Sequence, residues 1–149
     1  MPRWRPVIAL AVVSGAAIWL LEPNYLDLQT SATPDEFLGV LGGGQRRAMA
    51  AAIADMVFAL SYALLGVMAF GQVAYGVARG IGTGLIISAA AADEVENVMV
   101  LMAARDGSSV SVSTIDVMGT AGSVKWGLLT ASVVLLMALA LQHRLADRS

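Results

Sequence analysis

The sequence predicts an all-α integral membrane protein built as a four-helix bundle, and three observations carry that prediction. The 149 residues are 58% hydrophobic and only 13% charged, with a mean hydropathy of +0.74, far from the composition of a soluble domain. The apolar residues gather into runs near 6–22, 47–70, 78–104 and 122–142, each close to the ~20 residues that cross a bilayer as a helix. Polar stretches rich in Gly, Pro and Ser separate them. The expectation is one multi-pass transmembrane domain with an extracytoplasmic loop over 23–46, in a bacterial cytoplasmic membrane.

Composition also excludes several functions. A net charge of −2 and a pI near 5.2 leave no basic face for phosphates, so no nucleic-acid partner is expected. The chain has no cysteine and a single histidine, His143, which rules out disulfides, iron–sulfur clusters and a bis-imidazole haem. No cofactor is expected. A zinc site would need carboxylates almost alone, whereas hard cations stay open.

The first run, Val7 to Leu21, follows Arg3 and Arg5 and ends in Trp19-Leu20-Leu21-Glu22-Pro23. Bulky residues stand where a signal peptidase requires small ones, so a retained span is expected, stopped by Pro23. Asn24 to Arg47 is the longest polar connection and reads as a loop. Within it Thr33-Pro34-Asp35-Glu36 supplies an N-cap, a first-turn proline and two acids, the order that starts a short interfacial helix. Such a surface helix is expected to hold no ligand.

The second run, Ala48 to Phe70, contains Asp55 about 10 Å inside it at 1.5 Å per residue. Asp55, Phe58, Ala59, Tyr62 and Gly66 follow helical spacing, so one face carries a carboxyl, a phenol and small residues and is expected to point inward. The bland alternative is a single interhelical hydrogen bond from Asp55. Gly71 to Arg79 reads as a short connector, with Tyr75 and Arg79 at headgroup level.

The third run is apolar at both ends and acidic in the middle, with Asp93, Glu94, Glu96 and Asn97. Gly82, Ile86, Ala89, Ala90, Asp93, Glu96, Asn97, Val100 and Ala104 share a helical face, whereas Glu94 points about 100° away from Asp93 and is expected outside the site. Asp106 to Ser123 is rich in Gly, Ser and Thr, with alternation from Ser109 to Ser113, and reads as an ordered, non-catalytic loop. Lys125 and Trp126 then open the last span as an interfacial anchor. Placing the N-terminus inside puts Arg3, Arg5, Arg79, Arg144 and Arg148 in the cytoplasm, against Arg46, Arg47, Arg105 and Lys125 outside, a slight positive-inside bias.

On this reading Asp55, Asp93 and Glu96 have no intramembrane lysine or arginine to balance them. Ionisable groups at that depth are costly and usually functional. Either the acids take up protons, or a cation holds them ionised with Asn97 adding a carbonyl oxygen, or residues 93–97 sit in an aqueous pocket at headgroup level.

At Asp55-Met56-Val57-Phe58 with Tyr62, and at Ala92-Asp93-Glu94-Val95-Glu96-Asn97, the chain resembles uncharacterised small bacterial four-span membrane proteins with an A-D-x-x-E-N signature. The resemblance covers the middle half of the chain and implies one constellation of Asp55, Asp93, Glu96 and Asn97, with no activity attached.

Three functions compete. A binding or transport-type protein would place Asp55, Tyr62, Asp93, Glu96 and Asn97 around a lipophilic ligand, a proton or a cation. An intramembrane enzyme on a lipid or isoprenoid-like substrate (an isomerase, cyclase or epoxide-opening enzyme) would use Asp55, Asp93 and Glu96 as acid and base. An accessory subunit would turn its polar face to a larger membrane complex or to further copies of itself. A co-purifying lipophile favours the first two, an obligate protein partner the third.

Overall fold

The computed structural model describes residues 5–106 and 110–146. Arg3, Ser109 and Arg148 lie outside the described residues, as do the side chains of His143 and Arg144. The described residues form six helices and no strand: α1 (Arg5–Leu21), α2 (Tyr25–Thr30), α3 (Pro34–Leu41), α4 (Gln45–Val73), α5 (Gly76–Asp106) and α6 (Val112–Ala146). Two of them, Gln45–Val73 and Val112–Gln142, are long and apolar enough to cross a membrane.

Neighbours in sequence pack side by side: α1 on α4, α4 on α5, and α5 on α6. Small residues set the α4–α5 approach. Any β-carbon on Gly82 would run into the Phe70 ring, and one on Gly66 would come within 2.6 Å of Ile86 Cγ1, so glycine at both positions lets the two backbones close up. The whole α5 face from Gly82 to Ala104 that the periodicity picks out is buried, and Ala103 joins it.

Three connections differ from the sequence reading. The stretch 24–44 is not a surface loop: it holds two short helices, α2 and α3, packed on the long ones. Thr33 does cap α3, accepting a hydrogen bond from Glu36 N at 3.2 Å, with Pro34 in the first turn, and Gly42 ends α3 at a left-handed φ of 49°, a conformation glycine adopts without steric cost. Yet Tyr25, Leu28, Phe37 and Leu41 are all buried, against Ala48, Ala51, Ala52, Val100 and Ala104 of α4 and α5. The segment therefore caps one end of the long helices, and burying its apolar face stabilises it by about 1.5–3 kcal/mol per large side chain.

The second difference is the Gly71–Arg79 connector, which is largely helical: α4 runs on to Val73 and α5 begins at Gly76. The third is α6, which starts at Val112, ten positions before the expected 122, and so takes up most of the segment read as a loop. Ile115, Met118, Ala121 and Lys125 line its buried side at 4%, 1%, 8% and 5% exposure. Helical spacing across this Ser- and Gly-rich stretch places a lysine inside the protein.

Candidate functional site

Lys125 is the residue that most changes the reading of the acids. An early helix start puts it thirteen positions inside α6, about 20 Å along the axis, rather than at the end of a span. Its ammonium donates to Asp93 Oδ1 at 3.1 Å and to Glu96 Oε2 at 2.5 Å, with all three residues at most 5% exposed. The expectation that the acids lack a buried cation, and that Lys125 is an interfacial anchor, is thus corrected. Asp93 and Glu96 are one helical turn apart on α5, and the lysine bridges them from α6. Bridging of this kind is needed because a buried charge left alone costs several kcal/mol.

Two of the three partners make a further contact. Asp93 Oδ2 accepts a hydrogen bond from Tyr62 of α4 at 3.0 Å, and Tyr62 stacks edge-on against Phe58, with ring centroids 5.7 Å apart. The Lys125 ammonium also lies 5.7 Å from the Trp126 ring centroid.

The cap supplies the second half of the cluster. Tyr25 donates to Asn97 Oδ1 at 2.6 Å. Gln29, one turn further along α2, donates through Nε2 to Asp55 Oδ2 at 3.0 Å and to Asn97 Oδ1 at 3.3 Å. Burial pushes the Tyr25 phenol well above its ordinary range, and the carboxylates of Asp55, Glu96 and Asp93 push it further in the same direction, so it is a neutral donor. Tyr25 and Gln29 are absent from the sequence-derived site.

These groups close one end of a cavity of about 490 Å³, within the usual range of small-molecule sites. Asp55, Tyr62 and Asp93 lie on its wall, together with Tyr25, Gln29 and Lys125. Glu96 and Asn97 do not line it: they stand behind the wall, joined to it by Lys125 and by Tyr25 and Gln29. Glu94 is also off the wall and half-buried, with Oε1 enclosed and without a hydrogen-bond partner. The other end of the cavity is apolar, formed by Gly15, Ile18 and Trp19 of α1 and by Trp126, Leu129 and Val133 of α6. α1 and α6 do not pack extensively on one another. Their rim residues Trp19, Trp126 and Val133 are 66%, 61% and 54% exposed, so the mouth lies between these helices on the apolar outer surface.

No group of three or more metal-ligating His, Cys, Asp or Glu occurs among the described residues. The place between Asp93 and Glu96 where a metal cation would bind is taken by the lysine ammonium. No family model, curated protein or solved structure matches the chain, so every residue role here rests on geometry.

Proposed function

We propose that this chain is a four-span membrane protein whose cavity takes up a lipophilic, amphipathic molecule from within the bilayer. The molecule's polar end would rest against Asp55, Gln29 and the Asp93–Lys125 pair, and its apolar body between α1 and α6. One observation carries the reading: the cavity opens between exposed apolar side chains, while its inner end is polar and is closed by the α2–α3 cap. A water-soluble ligand has no use for a mouth framed by Trp19, Trp126 and Val133, whereas a lipid-dissolved one meets it directly.

Four spans are supported by an inverted distribution of polarity. In the apolar windows of α4 and α6 only 22% and 11% of residues are buried, unlike core helices of soluble proteins. Along α5, Asp93 and Glu96 are buried while Ile81, Ile87 and Met102 are more than half exposed. At 17 and 31 residues, α1 and α5 reach about 25 and 46 Å, sufficient to cross a ~30 Å core with modest thinning for α1. With Lys125 withdrawn into the bundle, the outer side keeps Arg46, Arg47 and Arg105, and the positive-inside bias for a cytoplasmic N-terminus grows.

The test is photolabelling in proteoliposomes with a diazirine-bearing long-chain alcohol. Labels are expected on cavity residues such as Phe58, Tyr62 and Leu129, and Leu129→Trp, which fills the apolar end, is expected to cut them severalfold. Labels spread evenly over the outer surface, unchanged by Leu129→Trp, would overturn the reading.

A second reading rests on the unlike surroundings of two carboxyls on one wall: Asp93 is paired with an ammonium, Asp55 with a neutral amide. Separation of that kind suits acid–base catalysis on a bound isoprenoid-like substrate. Conversion of a labelled lipid extract by the pure protein, lost in Asp55→Asn, is the result that would favour it.

A further inference from the structure

Resting on the binding reading above, we infer that the ligand is a lipophilic organic cation, a protonated or quaternary amine carrying an apolar body. Two independent features of the cavity point to that charge.

The first is an acidic surplus. Glu22, Asp55 and Asp93 lie on the wall and Glu96 directly behind it, against a single ammonium, Lys125. Lys125 offers little repulsion of its own, because its charge is already shared by Asp93 and Glu96 at hydrogen-bond distance. Asp55 receives no such ion pair: the hydrogen bond at its Oδ2 comes from the Gln29 amide. Asp55 is therefore bonded by a dipole and feels Lys125 only from beyond ion-pair distance, and a cation arriving from the mouth supplies a direct counter-charge. An anionic headgroup would meet the same surplus as repulsion.

The second is the aromatic lining. The chain has three each of Trp, Tyr and Phe, and five of these nine, Trp19, Tyr25, Phe58, Tyr62 and Trp126, line this one cavity. Ring faces attract cations, and ammonium groups that shed their water are the ones that gain most. Trp126 already lies beneath the Lys125 ammonium. An apolar tail alone needs no such concentration of rings, since the aliphatic side chains that dominate the rest of the sequence would serve as well.

The experiment compares three probes of one shape in neutral detergent: phenylbutyl-trimethylammonium, its uncharged tert-butyl counterpart, and phenylbutyl sulfonate. Binding is read by tryptophan fluorescence for wild type and Asp55→Asn. Each probe is compared with itself across the two proteins, so its partition into the micelle cancels. The cation is expected to bind about tenfold more weakly to Asp55→Asn, with the neutral probe changed less than twofold and the sulfonate binding weakest throughout. Equal losses for the cation and the neutral probe, or tightest binding by the sulfonate, would overturn the charge assignment while leaving a lipophile site standing. Binding of none of the three would overturn the cavity reading and this inference with it. Should Asp55→Asn fail to fold, Glu22→Gln on the cavity wall provides the same comparison, with a selective loss of cation affinity expected and no selectivity overturning the assignment.

Discussion

On the α5–α6 side of the polar cluster, an ammonium is shared between two carboxyls; on the α2–α4 side, one carboxyl takes a hydrogen bond from a neutral amide. Asp93 and Asp55 lie on the same cavity wall, yet the first is locked between Lys125 and Tyr62 and the second is matched only in part. The difference separates a carboxyl that ties α5 to α6 from one that, on the proposed reading, receives a ligand. Replacing the first is then expected to cost stability, and replacing the second to cost binding.

The sharpest way to break that comparison is Lys125→Met. It preserves most of the side-chain volume but leaves Asp93 and Glu96 buried without their cation, for an expected loss of about 3–5 kcal/mol. Thermal unfolding followed by circular dichroism in detergent measures it. Adding Asp93→Asn and Glu96→Gln to the same chain should recover most of the loss, because a neutral cluster no longer needs the ammonium. A Lys125→Met protein as stable as wild type would show that the ion pair does not hold α5 to α6.

Gly122→Ala probes the same side more gently. A β-carbon there would lie 3.1 Å from Glu96 Oε1, tighter than ordinary contact, and Glu96 can retreat only by loosening its bond to Lys125. An expected cost of about 1–2 kcal/mol, read by the same melting experiment, should vanish when Glu96 is already alanine.

How much of this was legible beforehand follows from the spacing of each element. Asp55, Tyr62, Asp93, Glu96 and Asn97 sit on long, regular helices, where i, i+3, i+4, i+7 spacing marks a face without any knowledge of neighbours. Lys125 was not legible as a buried residue because a lysine beside Trp126, after a Gly- and Ser-rich stretch, has the composition of an interfacial anchor. The available signal was the run Ile115, Met118, Ala121 and Lys125, whose spacing continues the helix through residues of low helical propensity. Tyr25 and Gln29 belong to a helix of six residues, too short for periodicity to speak, and only packing against α4 and α5 fixes which way they face.

Asp55→Asn tests the available side. The asparagine oxygen can still accept from Gln29, so stability should change by no more than about 1 kcal/mol, while retention of a lipophilic ligand falls. The contrast with Lys125→Met is the point: the two substitutions should separate into one that lowers the melting temperature and one that lowers binding. An Asp55→Asn protein that melts as early as Lys125→Met would assign both carboxyls to the scaffold.

The smallest expected effect is Tyr25→Phe, which removes the 2.6 Å hydrogen bond to Asn97 Oδ1 while Gln29 still donates to that oxygen at 3.3 Å. With one donor left to that oxygen, the loss at neutral pH should be about 0.5 kcal/mol. The pH dependence is more telling. Burial and the nearby carboxylates raise the folded phenol above its ordinary value, so the folded state keeps its proton where the unfolded chain, titrating near pH 10, releases it. The stabilisation from that shift is fully present below about pH 10 and is lost as pH climbs above it, by at most about 1.4 kcal/mol per pH unit. Phenylalanine has no proton to lose. Melting temperature measured from pH 8 to 11 should therefore fall less steeply in Tyr25→Phe than in wild type, and parallel curves would mean that Tyr25 is exposed and that the α2–α3 cap is not seated on α4 and α5.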